Sequence, residues 1–166
     1  MNTRTVLSSF AAIALLTSAC GRSDNGSASA APAATASGNA SVRVIEITGN
    51  DAMQFNVTEI TAKPGETLRI SFRNVGKMPK QAMSHNWVLL KPMTDGEVNA
   101  FGMAASSKAP TYLPDDQSAI IAHTKMLGAG ESDQIEFQAP ATAGTYPFIC
   151  TFPGHFAIMK GKLVVK

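Results

Sequence analysis

Cys150-Thr151-Phe152-Pro153-Gly154-His155-Phe156-Ala157-Ile158-Met159 is the most informative stretch of the sequence. It places a thiolate, an imidazole and a thioether on one loop, with a Pro-Gly turn between the first two donors. Copper accepts this mixture of soft and borderline ligands in both of its oxidation states, whereas hard cations prefer oxygen and structural zinc prefers four Cys or His ligands. The stretch therefore predicts one copper ion per chain.

A copper site of this kind needs a second imidazole, and His85 in the segment Met83-Ser84-His85-Asn86-Trp87 is the natural supplier. Taken singly, His85 reads as a core histidine, Met159 as core packing and Cys150 as an inert buried thiol. Taken together, two His, one Cys and a distant Met make up the ligand set of blue-copper electron-transfer sites. The combination favours copper over the three separate structural interpretations.

Short segments of β-type pattern surround these residues from position 41 onward, separated by Pro- and Gly-containing turns. Thr67–Asn74 alternates most clearly between apolar and polar residues. The periodicity is poor between Lys91 and Gln117, where Asp95–Ser107 is the candidate helix. We predict an all-β, antiparallel Greek-key sandwich with one short helical excursion and no internal repeat. The other predicted strands are Val42–Thr48 (with a bulge at Val44-Ile45), Phe55–Ala62, Asn86–Leu90, Ser118–Ala122, Gln134–Gln138, Thr145–Cys150 and Gly161–Lys166.

The N-terminus has the pattern of a bacterial lipoprotein signal. Residues 1–19 combine Arg4 with an apolar segment too short to span a bilayer, and small residues precede Cys20. We expect cleavage before Cys20, lipid on its sulfur and a flexible Ala/Ser/Gly-rich tether over residues 20–40, followed by one domain over residues 41–166. Gly21 favours the outer over the inner membrane. The alternative is an ordinary secretory signal cleaved near Ala19.

Charge and cysteine count narrow the possible partners. The formal net charge of +2 becomes +1 once Arg4 is lost with residues 1–19, and no run of Lys or Arg could follow a nucleic acid. The sequence contains two cysteines, so lipidation of Cys20 would leave Cys150 as a lone thiol in an oxidising compartment. A bound metal accounts for such a thiol. We expect membrane contact through the lipid only.

The stretches NDAMQFN, SHNWVLL, IIAHTKMLGAGE and CTFPGHFAIMKG resemble azurins, and with their spacing they cover nearly all of residues 41–166. The resemblance implies a cupredoxin fold with His85, Cys150 and His155 as equatorial ligands and Met159 as a weak axial ligand. It also implies that the backbone carbonyl of Ser84, where the family usually has Gly, faces copper from the opposite side. The signal and tether are similar to those of lipid-modified azurins.

The resemblance further implies single-electron transfer through His155 to redox proteins such as a c-type cytochrome or a copper or haem reductase, by a monomer. His155 would be ringed by an apolar docking patch, of which one or two methionines are expected in the core. Asn86 is expected to hydrogen-bond near Thr151, His123 to lie on the surface with no role, and Trp87 to lie in the core. The docking patch consists of Met53, Met78, Ala82, Met83, Met103, Phe152 and Ile158.

Two positions depart from the azurin pattern. The family's disulfide is missing, and Arg43 and Glu66 fall at or near its positions, where an ion pair could form. The family's buried titrating histidine is replaced by Asn74, so we expect weaker coupling of the reduction potential to pH.

Two other classes of function are alternatives to electron transfer. A multicopper enzyme needs several more histidines, and only His123 remains after His85 and His155; an enzyme is therefore excluded for this chain. A copper-storage or surface-interaction lipoprotein stays open, although residues 21–40 lack the His, Met and Cys that would suit a copper scavenger.

Overall fold

Alternation of apolar and polar residues produces most of the strands in the computed structural model, which describes residues 41–166. The predicted signal peptide, Cys20 and tether lie outside the described residues. The elements are β1 (Arg43–Gly49), β2 (Glu59–Ala62), β3 (Thr67–Asn74), β4 (Val88–Leu90), α1 (Asp95–Ser106), β5 (Ile120–His123), β6 (Ser132–Gln138), β7 (Gly144–Ile149), a 3-10 turn (His155–Ala157) and β8 (Lys160–Val165).

The strands form two sheets, which confirms the all-β sandwich. One sheet has the order β1-β3-β6 and the other the order β2-β8-β7-β4-β5. The expectation that the strands pair only antiparallel is wrong, because β1 pairs with β3 and β2 pairs with β8 in parallel. The chain crosses to the second sheet for β2 before it returns as β3, so β1 and β3 run in the same direction.

The main core contains side chains from both sheets, among them Ile70 of β3, Phe148 of β7 and Leu163 of β8. A smaller cluster beneath α1 covers the outer side of the larger sheet, and it includes Val88 and Leu90. Apolar side chains therefore meet both faces of β4, whose three residues are all buried. Strands covered on both faces lose the alternating pattern, which is why β4 reads as a continuous apolar run.

Helix α1 begins with a capping box, in which Thr94 and Glu97 each bind the other's backbone N–H. It ends one residue before the predicted Ser107. The part of the chain that the structure describes contains no helix long and apolar enough to cross a membrane.

Two local predictions in the first sheet's neighbourhood are wrong. The pairing of β1 with β3 continues without a register shift from Arg43 to Gly49, so there is no bulge at Val44-Ile45. The strand predicted to start at Phe55 starts at Glu59, and Phe55 itself makes only an isolated bridge to Gly49. Asn56 N–H donates to the Thr48 carbonyl at 3.1 Å and its Oδ1 accepts from Thr48 N–H at 2.6 Å, so these residues bond to the end of β1 instead of extending β2.

Candidate metal centre

Backbone hydrogen bonds bring the predicted ligands together from two separate parts of the chain. His85 N–H donates to the Leu127 carbonyl at 2.9 Å, and Leu127 N–H returns the bond at 2.8 Å, which fixes His85 just before β4. Cys150 follows β7, and its N–H donates to the Met159 carbonyl at 3.0 Å. The loop from Cys150 to Met159 contains His155, which begins the 3-10 turn. Three donors of the C-terminal loop thus face His85.

The three nearest donor atoms form a compact triangle. The Cys150 sulfur lies 3.8 Å from His85 Nδ1 and 3.6 Å from His155 Nδ1, and the two Nδ1 atoms are 3.2 Å apart. The circle through three points with these separations has a radius of about 2.1 Å, close to ordinary metal–nitrogen and metal–sulfur bond lengths. The spacing of the three donor atoms therefore fits one metal ion, which Cys150, His85 and His155 would hold.

Burial sets the protonation of the triangle. The Cys150 side chain is fully buried, and burial raises the pKa of its thiol to about 12. Burial, with a smaller contribution from the neighbouring His85, lowers the pKa of His155 to about 4. Burial likewise lowers the pKa of His85, against weaker opposition from the Asn50 backbone and the Asp51 carboxylate. Both imidazoles are therefore neutral and free to bind a metal at neutral pH, while the thiol must release its proton.

Ser84 lies next to Cys150, and Met159 lies next to His85. The Ser84 carbonyl oxygen is 4.0 Å from the Cys150 sulfur. Met159 is fully buried, and a Cβ added to Gly49 would lie 2.7 Å from its terminal methyl carbon and 3.2 Å from His85 Cδ2. The lack of a side chain at Gly49 thus lets Met159 and His85 pack side by side against β1.

A second group of hydrogen bonds joins the two ligand segments. Asn86 Nδ2 donates to Thr151 Oγ1 at 2.8 Å, and Thr151 N–H donates to Asn86 Oδ1 at 2.8 Å, as the sequence led us to expect. Thr151 Oγ1 donates in turn to the Tyr112 carbonyl at 2.6 Å. Residues adjacent to His85 and Cys150 are therefore tied to each other and to the loop after α1.

Comparison with known proteins identifies the family to which this chain and its donor cluster belong. Residues 42–166 match the family model described as copper binding proteins, plastocyanin/azurin family. The chain belongs to this family. It is 42% identical over 125 residues to an azurin of Pseudomonas aeruginosa, covering 74% of this chain and 84% of the azurin. It is 43% identical over 123 residues to azurin-1 of Alcaligenes xylosoxydans xylosoxydans, covering 72% of this chain and 94% of that protein.

Solved structures give the same result. Auracyanin A, a "blue" copper protein from Chloroflexus aurantiacus, superposes with a TM-score of 0.69 at 39% identity, covering 76% of this chain and 100% of auracyanin A. Reduced auracyanin from Roseiflexus castenholzii gives a TM-score of 0.66 at 37% identity, covering 74% of this chain and 96% of the auracyanin. Azurins and their relatives carry electrons and are not enzymes, and neither is this member of the family. His85, Cys150 and His155 fit a single copper ion, which confirms the predicted cofactor.

The residues predicted to surround His155 in this azurin-family chain differ in exposure. His155 itself is 3% exposed, while Pro153 and Gly154 of its turn are exposed. Of the residues predicted for the docking patch, Met53 is half-buried and packs against the core, as expected for one or two of its methionines. The others are exposed (Met78, Ala82, Met103 and Ile158), half-buried (Met83) or buried (Phe152).

The positions that depart from the azurin pattern are occupied by well-bonded side chains. Arg43 Nε donates to Glu66 Oε1 at 2.6 Å, so the ion pair forms where the sequence allowed one. Asn74 is fully buried and makes three side-chain hydrogen bonds. Trp87 is fully buried in the core, as expected, and its indole N–H has no partner within residues 41–166. His123 is half-buried in β5 and does not belong to the donor cluster.

Sequence reasoning missed two residues of this centre. Gly49 touches Met159 and His85, and Tyr112 supports the ligand loop through its carbonyl and through a ring contact of 5.2 Å between centroids with Phe152. Tyr112 also has a positive φ of 53°, which is unusual outside glycine and typical of functionally constrained backbone. Neither residue type suggests a role at a metal centre, and both contacts join distant parts of the chain.

Proposed function

We propose that the chain is a blue-copper protein that carries single electrons between redox partners. The observation that carries the proposal is the triangle of Cys150 and two neutral imidazoles, with an opening of the right size for an ion, in a chain of the azurin family. Copper supplies a one-electron couple when bound there.

Met159 and Ser84 complete the proposed ligand set. Met159 would be a weak thioether ligand, because its fully buried side chain packs beside His85. The Ser84 carbonyl would make a further weak contact, because it lies 4.0 Å from the Cys150 sulfur. A weak thioether and an apolar environment both raise the stability of Cu(I) relative to Cu(II).

Rigidity is the second requirement of an electron carrier, because each rearrangement on oxidation or reduction adds to the barrier. Asn86 and Thr151 would provide it, since their paired hydrogen bonds of 2.8 Å hold the segments of His85 and Cys150 together. The three donor atoms have metal-binding separations. Side chains held in this way would move little when the oxidation state changes.

We place electron exchange at His155 and partner docking at the patch of seven residues named above. Met78, Met103 and Ile158 expose 41%, 63% and 59% of their surfaces, an unusual exposure for large apolar side chains. Flexible methionines suit brief contacts with more than one partner. A c-type cytochrome, or another copper or haem protein, is the proposed partner of a monomeric chain.

The sequence of residues 1–40 leads us to propose where in the cell the domain lies. A lipid on Cys20 would attach the domain to the periplasmic side of a membrane, with the outer membrane favoured, as in lipid-modified azurins. Mass spectrometry of the membrane-extracted protein would show a diacylglyceryl-modified N-terminal Cys20, and Cys20→Ser would release the domain from the membrane fraction. A mature N-terminus at any other residue would contradict the anchor.

The function itself is tested by loading Cu(II) and recording the visible absorption. We expect an intense blue band that Cys150→Ser abolishes, followed by rapid electron exchange with a c-type cytochrome in stopped-flow mixing. A colourless Cu(II) complex would contradict the ligand assignment. Blue colour without rapid exchange would favour copper storage instead.

A further inference from the structure

The backbone at Met83, Ser84 and His85 is held at each of its three residues by a different hydrogen bond. Asn74 Nδ2 donates to the Met83 carbonyl at 3.2 Å. The Ser84 hydroxyl donates to the Lys80 carbonyl, and His85 N–H donates to the Leu127 carbonyl at 2.9 Å. The Ser84 carbonyl is the group between these attachment points.

Asn74 links two of the attachments directly. Its Nδ2 also donates to the Leu127 carbonyl at 3.1 Å, so the same oxygen accepts from Asn74 and from His85. Its Oδ1 accepts from Gly76 N–H at 2.9 Å, which fixes the orientation of the carboxamide. Asn74 is fully buried, so water does not compete for these bonds.

The anchor of the Ser84 hydroxyl is itself held in place. The Lys80 side chain lies over Gly128, where an added Cβ would be 2.9 Å from Lys80 Cβ. Lys80 Nζ pairs with Glu131 at 2.7 Å, and Glu131 accepts from Gly128 N–H at 2.8 Å. Ser84 is 1% exposed. Its hydroxyl therefore joins the segment before His85 to a fixed point on the neighbouring turn.

We propose that the Ser84 hydroxyl and the Asn74 carboxamide are positioning groups that together set the Ser84 carbonyl beside the metal donors. The hydrogen bonds that hold residues 83–85, here called the clamp, belong to the polypeptide alone. The effect of the Ser84 carbonyl on copper rests on the proposed function. Neither side chain touches the donor atoms through its own polar group. Both act through the backbone of the segment that carries His85.

The experiment compares Ser84→Ala with Ser84→Thr and with Thr124→Val. Ser84→Thr keeps a hydroxyl, and Ser84 lines a surface cavity beside Tyr112 and Phe152. Thr124 is the matched control because it is 1% exposed and accepts from Trp87 N–H at 2.9 Å outside the clamp. All variants are made in the full-length chain.

The first measurement is hydrogen exchange of the His85 and Leu127 amides in the metal-free protein. Ser84→Ala should speed exchange of these amides about fivefold relative to the β3 amides, the loss expected for one buried hydrogen bond. Thr124→Val should leave that ratio unchanged. Equal ratios in Ser84→Ala and Thr124→Val would overturn the clamp.

The second measurement is the EPR spectrum and affinity of bound Cu(II). Ser84→Ala should change the copper hyperfine splitting and weaken binding about tenfold, as loss of a supporting hydrogen bond does at other metal sites. Thr124→Val should retain the original spectrum, and Ser84→Thr, which keeps the hydroxyl, should change it less than Ser84→Ala does. An unchanged spectrum in Ser84→Ala, despite faster exchange at His85, would overturn the carbonyl's effect on copper.

The third measurement is a double-mutant cycle between Ser84→Ala and Asn74→Ala in the unfolding of the metal-free protein. Shared action on one segment predicts a combined loss that differs from the sum of the single losses. If Asn74→Ala does not fold, the Ser84 and Thr124 variants decide the matter alone. A colourless wild-type Cu(II) complex would refute the proposed function without affecting the exchange results, so the two failures are distinguishable.

Discussion

Replacing Gly49 by Ala would test whether the close contact between β1 and Met159 matters. The added Cβ would lie 2.7 Å from the Met159 methyl carbon and 3.2 Å from both His85 Cδ2 and Phe72 Cζ. Carbon atoms pack best at about 3.5–4.0 Å, so the Met159 methyl must move by roughly 1 Å. His85 and Phe72 are fully buried and leave little room for that movement.

Two opposing contributions decide the size of the effect. Gly-to-Ala replacement stabilises a protein by about 0.4–1 kcal/mol where the backbone tolerates it, through the unfolded chain. Overpacking a filled core costs about 1–3 kcal/mol. Overpacking wins at Gly49, and we expect the free energy of unfolding to fall by about 1–2 kcal/mol. In β7, a Cβ added to Gly144 would meet its nearest atom at 3.7 Å, so Gly144→Ala should be neutral or stabilising.

The assay is urea unfolding of the metal-free protein, followed by emission of Trp87, the one tryptophan of the sequence. The same variants are then loaded with Cu(II), and their absorption and reduction potential are compared. Gly49→Ala should change both because the thioether is displaced, whereas Gly144→Ala should change neither. Equal stability and equal spectra in the two variants would refute the proposed packing of Met159 against Gly49.

Three further outcomes follow from the contacts. The pKa of His155 is lowered from 6.5 to about 4. A neutral His155 therefore contributes about 3 kcal/mol to the free energy of unfolding of the metal-free protein above pH 6.5, and this contribution is lost as the pH falls toward 4. His155→Gln should flatten the pH dependence of that free energy, measured by urea unfolding. An unchanged slope would contradict the lowered pKa. Asn74 cannot titrate, so the reduction potential should stay nearly constant between about pH 5 and 8 by voltammetry; a steep slope would contradict this. The exposed pair of Arg43 and Glu66 should contribute less than about 1 kcal/mol in a double-mutant cycle, and less in high salt; a larger coupling would show that it replaces a disulfide energetically.

The fold was predictable where one short segment contains its own signal. Thr67–Asn74 alternates so regularly that both ends of β3 were predicted correctly. The start of β2 was wrong because Phe55 and Asn56 bond to the end of β1, and pattern alone does not show such a side-chain bond as that of Asn56 to Thr48. The parallel pairing of β1 with β3 depends on contacts between distant segments.

The metal centre was predictable in its donors but not in its support. Cys150 and His155 are close in sequence, and their chemistry limits the choice of metal. Gly49 and Tyr112 act through the absence of a side chain and through a carbonyl oxygen. Since every residue has a carbonyl, only the folded chain shows which one Thr151 uses.

The direction of β1 determines which end of the domain can be attached to a surface. Its seven residues separate Arg43 from Gly49 by about 20 Å, and Gly49 is the end that touches Met159 and His85. Residues 1–40 join the domain at the Arg43 end. A domain of residues 41–166 fixed through Ser41 to an electrode or a bead would therefore have its attachment point at the far end of β1 from the metal donors.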